Sequence, residues 1–89
     1  MSDMTIDLAS VLGTVAALCS IASFAPQAIK IWRERDASSV SLKTYSLTVT
    51  AFAFWIAYGL SIRAWPIVAS NTCALIMAAI VLIMKWRFR

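Results

Sequence analysis

No charged residue falls between Leu8 and Ile29, between Thr44 and Ile62, or between Ala64 and Met84. These runs of 22, 19 and 21 residues leave a chain of 89 residues few ways to fold. At a rise of about 1.5 Å per residue, about 20 apolar residues cross the hydrocarbon core of a bilayer. A soluble domain this small must cover itself with polar side chains, yet 62% of the chain is hydrophobic and only 13% is charged. The expected fold is an all-α membrane protein: one domain, 1–89, formed by three transmembrane helices at about 7–32, 42–62 and 66–84.

The charges that remain are segregated. Lys30, Arg33, Arg35 and Lys43 flank the first connection and Lys85, Arg87 and Arg89 end the chain, whereas Arg63 is the one base at the second connection. Such a bias marks the cytoplasmic side. It predicts a multi-pass protein of the inner (plasma) membrane in contact with lipid, its N-terminus outside and its C-terminus in the cytoplasm. The net charge of +4 is therefore a topology signal, and no nucleic-acid partner is expected. Asp3 and Asp7 stand where the basic region of a cleaved signal peptide would be, so none is expected. Cys19 and Cys73 both fall within spans and read as packing residues. With no histidine, no cysteine pair at metal spacing and no glycine-rich phosphate loop, no enzyme activity, catalytic residue, cofactor or metal is expected.

Each span carries a polar or small-residue stripe. On helix 1, Ser20, Ser23, Phe24 and Gln27 recur at helical spacing, and Gly13 with Ala17 permits a close backbone approach. Pro26 interrupts the ladder of that helix and reads either as a static kink or as a hinge for its cytoplasmic end. The connection Arg33–Ser39 reads as a solvated loop, and Ser41 as the N-cap of helix 2. On helix 2, Thr44, Thr48, Ala51, Trp55 and Tyr58 share one face. Arg63 and Trp65 suit an interfacial position, Pro66 suits the first turn of helix 3, and a short turn makes helices 2 and 3 antiparallel. On helix 3, Asn71, Ala74 and Ala78 form a small-residue face bearing one amide, and the terminal Lys85–Arg89 reads as an interfacial anchor.

Counted from the span centres, Trp55 lies about 3 Å and Asn71 about 4.5 Å outward of the midplane, with Ser20 close to the centre. An unpaired amide in hydrocarbon costs several kcal/mol, so Asn71 is either interhelical glue or a ligand for a substrate. No ionisable Asp, Glu, Lys, Arg or His lies inside a span, which disfavours proton coupling and charged cargo. An indole and an amide at one depth suit a neutral polyhydroxylated molecule moving passively. Three helices cannot enclose a path alone, and the one-sided charge bias forbids antiparallel pairing. A parallel homodimer is the expected assembly.

Ser23-Phe24-Ala25-Pro26-Gln27, Val40-Ser41 with Tyr45, the run Trp55-Ile56-Ala57-Tyr58-Gly59, and Asn71 together resemble the bacterial SemiSWEET sugar transporters of the SWEET, PQ-loop and MtN3/saliva family. The resemblance spans essentially the whole chain. It implies helices packed in the order 1-3-2 and two copies forming a 3+3 transporter, a uniporter that passes mono- or disaccharides by alternating access. On that resemblance Trp55 and Asn71 bind sugar, Pro26 with Gln27 beside it forms the hinge, and Tyr58 matches the outer gate's tyrosine. Ser20 joins the sugar site by its depth, Arg63 the outer gate by its place beyond Tyr58, and Thr44 and Thr48 stand where some relatives carry bulkier inner-gate residues. The chain departs from the family pattern at the outer gate. Ile62 and Ala64 stand where an arginine and an acid are usual, and Arg63 is displaced by one residue, about 100° around a helix. The rival readings are a PQ-loop amino-acid carrier and, from a different class, a holin-like pore or assembly subunit.

Overall fold

The computed structural model describes residues 3–88, and side chains from residue 8 onward, so the side chains of Asp3 and Asp7 and the whole of Arg89 lie outside the described residues. Three helices follow one another: α1 (Asp3–Glu34), α2 (Leu42–Ser61) and α3 (Trp65–Phe88). Two segments, Leu8–Glu34 and Trp65–Phe88, are long and apolar enough to cross a membrane. α2 has 20 residues, the length of a span, but its threonine, serine and tyrosine side chains dilute its apolar character. Part of that polarity is internally satisfied: Thr48 Oγ1 donates to the Thr44 carbonyl at 2.9 Å and Thr50 Oγ1 to the Ser46 carbonyl at 2.8 Å.

α3 has close backbone contact with both α1 and α2. Its inward stripe is Ala74, Ala78, Val81 and Met84, all buried, and the alanines let the neighbouring backbones approach. At the other end of the bundle α1 meets α3 at Gly13, where an added Cβ would sit 2.6 Å from Pro66 Cβ. The Cα envelope measures 49 × 22 × 13 Å. A layer that thin has no room for a path inside one chain.

The connection between α1 and α2 differs from the solvated loop expected from its charges. Ala37 and Val40 are buried and form a small core with Ile31, Val81 and Met84. Alternating charge described residues 33–36, but the two apolar side chains that follow have a hydrophobic floor to bury against. The loop backbone is then fixed by polar contacts. The Ala37 carbonyl accepts from the Val40 N–H and from Lys85 Nζ, both at 3.0 Å. Ser38 N–H donates to Asp36 Oδ1 at 2.9 Å, which holds that carboxyl below its ordinary pKa. Ser41 caps α2, its side chain accepting from Thr44 N–H at 3.1 Å.

The terminal basic-aromatic segment also does more than face a membrane interface. α3 stays helical to Phe88, whose ring meets Trp32 edge-on at 6.0 Å. The Arg35 guanidinium stacks 4.4 Å from the Trp32 centroid and 5.3 Å from that of Phe88.

Candidate functional site

α2 presents two faces, and they divide the expected hydroxyl stripe. Tyr45, Thr48, Phe52 and Ile56 are half-buried and Gly59 is buried, so this face looks into the bundle. Thr44, Ala51, Phe54, Trp55 and Tyr58 are exposed. Phe54 and the two larger aromatics line, with Ala51, an open groove of about 470 Å³. Trp55 is 52% and Tyr58 51% exposed, their rings edge-on with centroids 5.7 Å apart. Two large aromatics left this open within a bundle-forming chain need either lipid, a second copy or a ligand to cover them.

Asn71 heads the inward stripe of α3, three residues before Ala74, and is half-buried. Its Nδ2 donates to the Ile67 carbonyl of its own helix at 2.8 Å. That bond uses one of two amide donors and leaves the second donor and the Oδ1 acceptor for other partners. Within one chain, no hydrogen bond or ring contact joins Trp55 to Asn71 among the described residues. Ser20 is half-buried on α1.

Gln27 and Phe24 reach across from α1 to side chains of α2, while Pro26 beside them is exposed. The Tyr45 hydroxyl donates to Gln27 Oε1. Phe24 packs edge-on against Tyr45 at 6.2 Å and against Phe52 at 6.4 Å. Pro26 lies inside α1 and cannot donate to the Ala22 carbonyl one turn earlier. The tie from Gln27 and Phe24 to Tyr45 and Phe52 was not expected as a site. Its signal was Phe24 and Gln27 on one stripe, but nothing in the sequence said that the stripe faced α2.

Arg63 sits off the helix on which its 100° displacement was reckoned. α2 ends at Ser61 with Ile62 as its C-cap, and Arg63 adopts φ 55°. Ala64 N–H bonds the Gly59 carbonyl at 2.8 Å and Arg63 N–H the Leu60 carbonyl at 3.3 Å. This is a Schellman closure with arginine in the left-handed position glycine usually takes. The Ala64 carbonyl then accepts from Ile67 N–H and Val68 N–H, both at 3.1 Å, so the reversal into α3 needs three residues. Arg63 and Trp65 are exposed at this end, beside the mouth of a crevice of about 710 Å³ between α1 and α3.

Comparison with known proteins bears on what such a thin layer does. Residues 8–68 match the family described as PQ loop repeat. The chain is 36% identical over 81 residues to the sugar transporter SemiSWEET of Bradyrhizobium diazoefficiens, covering 91% of this chain and 94% of that protein. It is 35% identical over 71 residues to the sugar transporter SemiSWEET of Escherichia coli, 80% of each chain. A crystal structure of a bacterial homologue of SWEET transporters superposes with a TM-score of 0.84 at 28% identity, over 92% of this chain and 99% of that one.

Proposed function

The chain belongs to the PQ loop repeat family, among its SemiSWEET members, and on that premise we propose that it carries sugar across the inner membrane. It is a membrane protein and not an enzyme. Mono- or disaccharides move passively, by uniport and alternating access, through a parallel homodimer with helices in the order 1-3-2 in each subunit. All three helices span the membrane, with the N-terminus outside and the C-terminus in the cytoplasm.

The observation that carries this reading is the exposed Trp55–Tyr58 face on a layer too thin to hold a path. A second copy covers that face and turns two half-shells into one chamber. Trp55 then offers its ring face to the apolar side of a sugar, while the unused amide groups of Asn71 meet hydroxyls, with Ser20 nearby. Pro26 and Gln27 let the cytoplasmic end of α1 move against α2. Tyr58 and Arg63 close the outer side, and Thr44 and Thr48 line the inner one. The open aromatics and half-used amide support the site, and the relatives named as sugar transporters support the substrate class.

The test is uptake in a strain lacking its own sugar carriers, with labelled sugars competed by unlabelled sugars and by amino acids. Sugar uptake blocked by sugars alone is expected. Absence of labelled-sugar uptake, or uptake blocked by amino acids as well, would contradict sugar as the cargo.

A further inference from the structure

Of the basic residues expected at the cytoplasmic end, some are committed within the chain. Arg35 stacks on Trp32 and Phe88, and Lys85 donates to the Ala37 carbonyl. Lys30 and Arg33 are exposed, lie three residues apart on one face of α1, and form no ion pair among the described residues. They line, with Pro26, Ile29 and Glu34, a groove of about 530 Å³. Ile29 is 56% exposed and Pro26 is exposed, so the groove runs from two cations down to an apolar surface about one turn deeper. Asp36, beyond the groove, reaches Lys30 only through space. Within the groove's own lining two bases stand against one carboxylate, Glu34, while Asp36 lines the adjoining groove that shares Pro26, Lys30 and Glu34.

We propose that this groove binds an anionic diacyl phospholipid of the cytoplasmic leaflet, its phosphate between Lys30 and Arg33 and an acyl chain along Ile29 and Pro26. Charge complementarity and the order of the two surfaces commit the occupant. A free anion would use the cations but has nothing to place on Ile29, whereas a lipid presents phosphate and hydrocarbon in the same sequence as the groove. The lipid would then lie against the proline at which α1 is interrupted. The inference rests on the membrane orientation proposed above and not on sugar as the cargo.

The probe is phosphatidylglycerol. The full chain is reconstituted in phosphatidylcholine vesicles with and without phosphatidylglycerol, then released into detergent, and the lipid kept per chain is read by native mass spectrometry. Wild type keeps phosphatidylglycerol over phosphatidylcholine, and K30Q/R33Q keeps about tenfold to thirtyfold less. K43Q, which removes a base at the start of α2 away from the groove, keeps as much as wild type. Equal retention by K30Q/R33Q, an equal loss in K43Q, or release by millimolar inorganic phosphate overturns the proposal. If K30Q/R33Q does not fold, the charge-conserving K30R/R33K keeps the lipid, and wild type releases it as salt rises toward 1 M. Retention unchanged by salt overturns it as well. Because lipid retention is read without transport, a failure of sugar uptake is separable from a failure here.

Discussion

The two glycines of this chain both sit at close interhelical contacts, against different neighbours. A methyl group at Gly13 would meet Pro66 at 2.6 Å from its Cβ and 3.0 Å from its Cα, a rigid ring on a helix start. At Gly59 it would meet the Cγ2 methyls of Ile67 and Val68, each at 3.0 Å, and Ile67 Cβ at 3.3 Å, contacts that need shifts of only a few tenths of an ångström. Replacing a helical glycine also gains roughly 0.5–1 kcal/mol of backbone entropy. Gly59→Ala should therefore be close to neutral. Gly13→Ala should destabilise the α1–α3 packing by roughly 1–3 kcal/mol, because a clash with backbone cannot relax by a rotamer change. Thermal unfolding in one detergent orders the two, and a Gly59→Ala loss as large as that of Gly13→Ala would contradict the assignment. Arg63 shows the opposite case, a residue kept where glycine fits better. Its left-handed backbone releases the chain from α2 and starts α3 within three residues.

Among the elements, the α1–α2 connection is the one its sequence describes only in part: its charged residues and serines are exposed as expected, but Ala37 is not. Charges at Arg33, Glu34, Arg35 and Asp36 suggest a loop in water, but Ala37 is fully buried and Val40 is 3% exposed. What decides is the partner surface. Val81 and Met84 of α3 are far away in sequence, so no local pattern reveals that the loop has a floor. The helices themselves were legible because a charge-free run of about 20 residues has few other fates in water or lipid. Their ends were less so: α3 stays helical through Lys85 and Arg87, since basic residues suit a helix C-terminus and Phe88 gains a ring contact with Trp32. The Asx turn of Asp36 and Ser38 makes a pH prediction. Its carboxyl pKa lies below 3.8, so the stabilisation it lends the loop is fully present above that value. It is lost as pH falls through the depressed folded value. Corrected for intrinsic exchange, protection of the Ser38 amide should be flat from neutral pH down to about pH 5 and weaken only with strong acid. A step in protection near neutral pH would mean that another group holds the loop.

For the whole molecule, the proposed homodimer answers two features: a Cα envelope 13 Å in its shortest direction and aromatics left open on one face. Trp55 and Asn71 stand out in the sequence as candidates because an indole and an amide are conspicuous among apolar residues. The bond from Asn71 to its own Ile67 carbonyl does not, since a side chain turning back on its helix leaves no periodic mark. That bond holds one donor in place and leaves the second donor and Oδ1 for the proposed sugar site. The account stands on two subunits jointly offering those groups to sugar. Flux of labelled sugar into proteoliposomes tests it most directly, comparing wild type with Trp55→Ala and Asn71→Ala at equal dimer content by crosslinking. Loss of at least tenfold in each variant, with the dimer intact, is the predicted result. Wild-type flux in either variant, or a chain that carries sugar as a monomer, would contradict it.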